Sequence, residues 1–67
     1  MDLASVAAAA QRAWMTHEGA EIDLQIARWN GAHWSQIDQC ERWVRMARRA
    51  AEVAQAAYDA AHAEAVA

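Results

Sequence analysis

The sequence predicts an all-α protein, an antiparallel helical hairpin that dimerises into a four-helix bundle. Composition is the first observation behind this expectation: 20 of the 67 residues are alanine, none is proline, and only Gly19 and Gly31 are glycine. Alanine is the best helix former and proline the strongest breaker, so little of the chain is expected outside helix. Periodicity is the second. From Ile37 onward apolar residues recur at alternating steps of three and four, the seam of a helix packed along its length on another. Size is the third. A single small core supplies only about 3–5 kcal/mol, and folds this short lean on disulfides, metal or association. The lone Cys40 forms no internal disulfide, and His17, His33, His62 and Cys40 lack metal-ligand spacing. Association remains.

The first helix is expected over about residues 3–29. Asp2 caps its start. Leu3, Val6, Ala10 and Trp14 mark one face, and Ile22, Ile26 and Trp29 mark another, rotated by roughly 100° on an ideal helix. Between them Gly19 costs about 1 kcal/mol relative to alanine, so a break there competes with one long, bent helix; the single helix is the preferred reading. Gln11, Glu18 and Gln25, seven apart, fall towards the apolar side as rim or register-setting groups.

The turn is expected over residues 30–35. Trp29-Asn30-Gly31-Ala32-His33-Trp34 contains the Asn-Gly pair of a β-hairpin, yet the periodicity on both flanks is helical. Asn-Gly then serves as the left-handed stop of a helix, with Arg28 suited to the negative end of its dipole.

The second helix is expected over about 36–65. Ser35 with Asp38 fits a capping box, and Asp38–Arg42 and Glu41–Arg45 are acid-first pairs one turn apart. Ile37, Cys40, Val44, Ala47, Ala51, Ala54, Tyr58, Ala61 and Ala65 form the seam. Trp43, Met46, Ala50, Val53, Ala57 and Ala60 form a second stripe beside it. Together the stripes span roughly 160°, wide enough for two neighbours: helix 1 and a second subunit. The residues expected in the core or dimer contact are Trp14, Ile22, Ile26, Trp29, Ile37, Cys40, Val44, Ala47, Ala51, Ala54 and Tyr58.

Several function classes recede. No phosphate loop or nucleophile motif is present, His17-Glu18 reads as a solvated edge, and a hairpin offers little concavity for a small ligand. No catalytic residue, cofactor or metal is expected. The net charge of −3 disfavours a general nucleic-acid coat. Residues 1–10 open with Asp2 and lack a basic start, so they read as the first turns of a helix and not as a signal peptide. No run reaches the ~18 apolar residues of a membrane span. The expectation is a soluble, cytoplasmic protein.

The informative excess is four tryptophans, Trp14, Trp29, Trp34 and Trp43. Trp14 and Trp29 are expected to fill the core, Trp34 to pack over the turn. Trp43 lies off the strict seam with Met46 one turn on and Arg42 and Arg49 beside them; tryptophan, methionine and arginine are enriched at protein interfaces. That cluster serves either the dimer or an external partner. Arg42, Arg45, Arg48 and Arg49 form the one basic concentration. A solvated face paired to nearby acids is the first reading, an acidic protein patch the second, a phosphate backbone the third.

Two resemblances accompany these residues. Trp29-Asn30-Gly31 resembles the Trp-x-Gly turn of the WXG family of small secreted helical hairpins, although His62 stands four residues after Tyr58, where that family often carries an acidic residue. In length and heptads the chain also resembles the Rop-type hairpin, which implies a dimeric four-helix bundle binding paired RNA. The residues themselves point to a non-enzymatic homodimer that binds another protein. An inhibitor, anti-activator or adaptor, of the sort mobile elements and bacteria encode, would occlude its partner's surface. The expected contact residues are Trp34, Arg42, Trp43, Arg45, Met46 and Arg49, and nucleic acid is the less favoured partner.

Overall fold

The computed structural model describes residues 2–67, which form two helices, α1 (Leu3–Trp29) and α2 (Trp34–Val66). They run antiparallel as a rod of 51 × 14 × 13 Å. The radius of gyration is 15.2 Å, against about 11 Å for a compact domain of this length. α2, at 33 residues, is longer than α1, at 27, and among the described residues the pair carries no further layer. Among the described residues, no helix is long and apolar enough to cross a membrane.

Each helix end has its own chemistry. Asp2 accepts the Ser5 amide at 2.9 Å and the Ser5 hydroxyl at 2.9 Å, satisfying a backbone donor that the first turn cannot pair. At the other end of α1 the Ala32 amide reaches the Ala27 carbonyl at 2.9 Å and the Gly31 amide that of Arg28 at 3.2 Å. This is the Schellman arrangement. Its left-handed residue is Gly31, at φ +68°, whereas Asn30 stays right-handed at φ −79°. α2 starts earlier than the sequence suggested. Its cap is His33, whose Nδ1 accepts the Ser35 amide at 3.2 Å and lies 2.8 Å from the Ser35 hydroxyl. Ser35 therefore lies inside the helix, and the expected Ser35–Asp38 capping box does not form.

α1 is one unbroken helix through Gly19. The face it turns to α2 is Leu3, Val6, Ala10, Ala13, His17, Ala20, Leu24 and Ala27, all buried or half-buried and spaced alternately by three and four. Opposite them lie Ile37, Cys40, Val44, Ala47, Ala51, Ala54, Tyr58 and Ala61, the expected α2 seam; Ala65 at its end is exposed. The fully buried positions are Val6, Ala10, Ala20, Ala47 and Ala51. Small side chains thus form the centre, which lets the two backbones run close together.

Of the second face expected for α1, Ile22 and Trp29 point away from α2, and Ile26 sits at the rim beside Gln36, Gln39 and Cys40. Ile22 and Ile26 are each more than half exposed and Trp29 is 90% exposed, so none belongs to the core between the helices. Large residues drew that assignment, whereas the packed seam is mostly alanine. Trp14 is half-buried at its edge. His17 lies in the seam, with its side chain 12% exposed and its Nδ1 3.3 Å from Glu21, and is not a solvated edge. Glu18 and Gln25 are exposed on the outer side beside Ile22, whereas Gln11 is exposed at the rim of the seam with Trp14, Gln55 and Tyr58.

Candidate functional site

With the helices side by side, the rod has two broad faces, and cross-helix contacts distinguish them. On the first, the Trp14 indole N–H donates to Gln55 at 3.1 Å, and the Gln55 amide nitrogen donates to Asp59 at 3.0 Å. On the same face Arg28 reaches Glu41 at 3.0 Å. Glu41 is thereby drawn across to α1, and the expected Glu41–Arg45 pair does not form. Asp38–Arg42 forms at 3.0 Å, and Arg48–Glu52 joins it at 3.3 Å. Arg45 and Arg49 make no ion pair among the described residues.

Among the described residues the second face has no polar bridge between the helices. The α2 stripe of Trp43, Met46, Ala50, Val53, Ala57 and Ala60 runs its length, every member exposed. Trp43 is 49% exposed, and Met46 and Val53 more than half. Beneath the stripe lies a groove of 270 Å³ lined by Ala13, Thr16, Trp43, Met46, Ala47 and Ala50. Ala47 belongs to the buried seam, so the groove opens directly onto the packing between the helices. α1 contributes Ala9, Arg12, Thr16, Gly19, Asp23 and Ile26 to this face, again at steps of three and four. Nearer the turn, Asp23, Ile26, Gln36, Gln39 and Cys40 line a polar continuation.

A third apolar feature lies on the outer surface of α1. Met15, Ile22 and Trp29 recur at steps of seven, which on a helix stack along one edge. Glu18, Glu21 and Gln25 surround Ile22. Trp34 opens α2 at the turn and is 73% exposed, its ring 5.5 Å from that of His33.

Of the six residues expected to meet a partner, Trp43 and Met46 share the apolar groove. Arg42, Arg45 and Arg49 lie along the outer surface of α2 and Trp34 stands apart at the turn. Arg45 and Arg49 share a trough with Val53 of the Trp43 stripe. Sequence reasoning missed the groove floor, Ala13 and Thr16, and the outer Met15 stripe. The signal was available in the three-and-four spacing from Leu3 to Ala27, which fixes where every other α1 residue points.

Among the described residues no three His, Cys, Asp or Glu side chains come together as a set able to hold a metal ion. The grooves are open troughs along helix surfaces, suited to contact with another macromolecular surface more than to enclosing a small molecule. No family model, curated protein or solved structure matches this chain.

Proposed function

We propose that the protein is a non-enzymatic, homodimeric binding module that occludes the surface of another protein, as an inhibitor, anti-activator or adaptor does. One observation carries the reading: the distribution of apolar bulk is inverted. The buried positions are one valine and four alanines, while Met15, Ile22, Ile26, Trp29, Trp34, Trp43, Met46 and Val53 are about half exposed or more. Scattered exposed hydrophobes are ordinary, but rows of them aligned along a helix face support an interaction surface.

Two stripes on different sides suit two different contacts. The face over the Trp43 groove is assigned to self-association. The outer α1 stripe, Met15–Ile22–Trp29, is assigned to the target. Glu18 and Glu21 beside that stripe favour a partner whose apolar patch has a basic rim. Nucleic acid is the weaker alternative, because Arg42 and Arg48 are each engaged by an acid one turn away.

The test is capture from cells that express the protein, with wild type and the Ile22→Ala/Trp29→Ala variant compared. Both side chains are exposed, so the fold is retained. A protein bound by wild type should bind the variant at least tenfold more weakly when the purified pair is titrated. Equal binding of the same protein by both forms would overturn the assignment of the target surface.

A further inference from the structure

We infer that the outer surface of α2 carries a binding site for an acidic helical segment of another protein. The site is a trough of 430 Å³ lined by Arg45, Arg48, Arg49, Glu52 and Val53, and the groups that hold the ligand are Arg45 and Arg49. The inference goes beyond the target surface assigned to Met15, Ile22 and Trp29. It places a second target surface on the opposite edge of the rod and does not depend on the first.

Local sequence supplies the arginines, but the fold decides which of them stay without an acid. On a helix a side chain meets those three and four residues away. Arg42 finds Asp38 at 3.0 Å, and Arg48 finds Glu52 at 3.3 Å. Arg45 has one acid within that reach, Glu41, and its carboxylate is drawn across to Arg28 of α1 at 3.0 Å. Arg49 also has one, Glu52, which Arg48 already engages. Two exposed guanidinium groups are left one helical turn apart, and like charges at that spacing repel each other. A bound anion between them removes the repulsion.

The spacing names the ligand. Arg45, Arg49 and Val53 advance by four residues, a row of two cations followed by an apolar side chain that is 66% exposed. Neighbours in such a row have Cβ atoms about 5–6 Å apart. A second helix laid along α2 reproduces that spacing when it carries acids on two successive turns and an aliphatic residue on the third. Its carboxylates then meet the two guanidinium groups, each of which offers parallel N–H donors to a carboxylate, and its aliphatic side chain covers Val53. A phosphate backbone fits less well. Glu52 stands in the wall of the trough, the chain carries a net charge of −3, and a polyanion has nothing apolar to set on Val53.

Self-association leaves this trough open. At about 100° per residue, Arg45 and Arg49 stand roughly 140–180° round α2 from its seam, against about 60° for Trp43. A second copy over the Trp43 groove therefore leaves both arginines facing outward. The two edges of the rod differ in sign: Glu18 and Glu21 flank Ile22 on α1, whereas arginines flank Val53 on α2. Edges of opposite charge select different targets, as an adaptor requires.

Fluorescence anisotropy with the full chain tests the site. The probe is a rhodamine-labelled, alanine-based helical peptide of about 20 residues that repeats Glu-x-x-x-Glu-x-x-x-Leu, titrated at low salt, where exposed charges are least screened. Wild type is expected to bind it saturably, and at least tenfold more tightly than the same peptide with glutamine for glutamate. Arg45 and Arg49 are exposed, so Arg45→Ala/Arg49→Ala retains its helix content by circular dichroism, and it is expected to bind at least tenfold more weakly. Arg12→Ala removes an arginine of α1 that also makes no ion pair among the described residues, and should change binding less than twofold. No saturable binding by wild type, or an equal loss with Arg12→Ala, overturns the site. A labelled single-stranded oligothymidylate that binds more tightly than the acidic peptide, and is lost in the same double variant, overturns the acidic segment and gives the arginines to phosphates. Ile22→Ala/Trp29→Ala should bind the peptide as wild type does, which separates failure of this site from failure of the α1 target surface.

Discussion

On one face of the hairpin Trp14 holds Gln55 and Arg28 holds Glu41; on the other, Trp43 and Met46 stand over Ala13 and Thr16 with no polar side chain crossing between the helices. Both faces flank the same alanine-lined seam. The first satisfies its polar groups within one chain and needs no further partner. The second leaves apolar bulk and two lone charges facing outward. The contrast separates what orients the two helices from what the pair offers to others. Polar contacts across an exposed edge fix the relative height of the helices, because each has a defined geometry. Alanine packing alone would let one helix slide past the other by a turn at little loss.

The sharpest way to break this contrast is to remove bulk from the apolar face alone. Trp43→Ala is expected to raise the dimer dissociation constant at least 30-fold, or about 2 kcal/mol, since each dimer loses the side chain twice. Arg45→Ala, on the outer polar surface, should change it less than twofold. Sedimentation equilibrium of the two variants at equal concentration checks the pair. Equal effects would mean that the faces do not divide the labour as described.

A smaller effect probes the polar face. Gln55→Leu removes the acceptor of the Trp14 indole N–H, a part-buried bond of 3.1 Å. It should lower unfolding stability by about 1–2 kcal/mol, read by urea denaturation at fixed protein concentration. The dimer dissociation constant should stay within a few-fold of wild type. A loss of association as large as that of Trp43→Ala would show that both faces serve the dimer.

The α2 half of this division was legible in the sequence, and the α1 half was not. In α2 the seam carries Ile37, Val44 and Tyr58 beside its alanines, so hydrophobicity and inward direction coincide. In α1 they part. The inward positions include Ala10, Ala13, Ala20 and Ala27, while Met15, Ile22 and Trp29 point out and Ile26 sits at the rim. A reading that weighs residues by size then follows the wrong stripe. Alanine is buried here because its smallness brings the backbones together, a geometric virtue that hydrophobicity scales undervalue. The helix ends followed local chemistry where that chemistry was unique, at Asp2 and Gly31. At the start of α2 two neighbouring groups can cap, and His33 took the role expected of Ser35. The Glu41–Arg45 pair failed for a related reason: i,i+4 spacing permits a contact, but Arg28 of the other helix competes for the same carboxylate.

The smallest effect lies where neither face reaches, at the start of α1. The Ser5 amide and then the Ser5 hydroxyl donate to the Asp2 carboxylate, holding its pKa below the ordinary aspartate value. A group whose folded pKa is depressed contributes stability above its unfolded pKa, about 4, and loses that contribution as pH falls through the folded value. The cap should therefore be complete at neutral pH and release the first turn only in acid, below the pH at which a free aspartate protonates. The Ser5 amide resonance, followed by NMR from neutral pH downward, should titrate with a midpoint below that of an aspartate in an unfolded peptide. Asp2→Asn retains an acceptor but removes the titration, so its profile should be flat over the same range. A Ser5 shift that is flat in wild type as well would detach the cap from the carboxylate. Because Asp2 is exposed and far from the Trp43 groove, Asp2→Asn should leave any self-association at neutral pH within twofold of wild type, so the cap and the apolar face are separable.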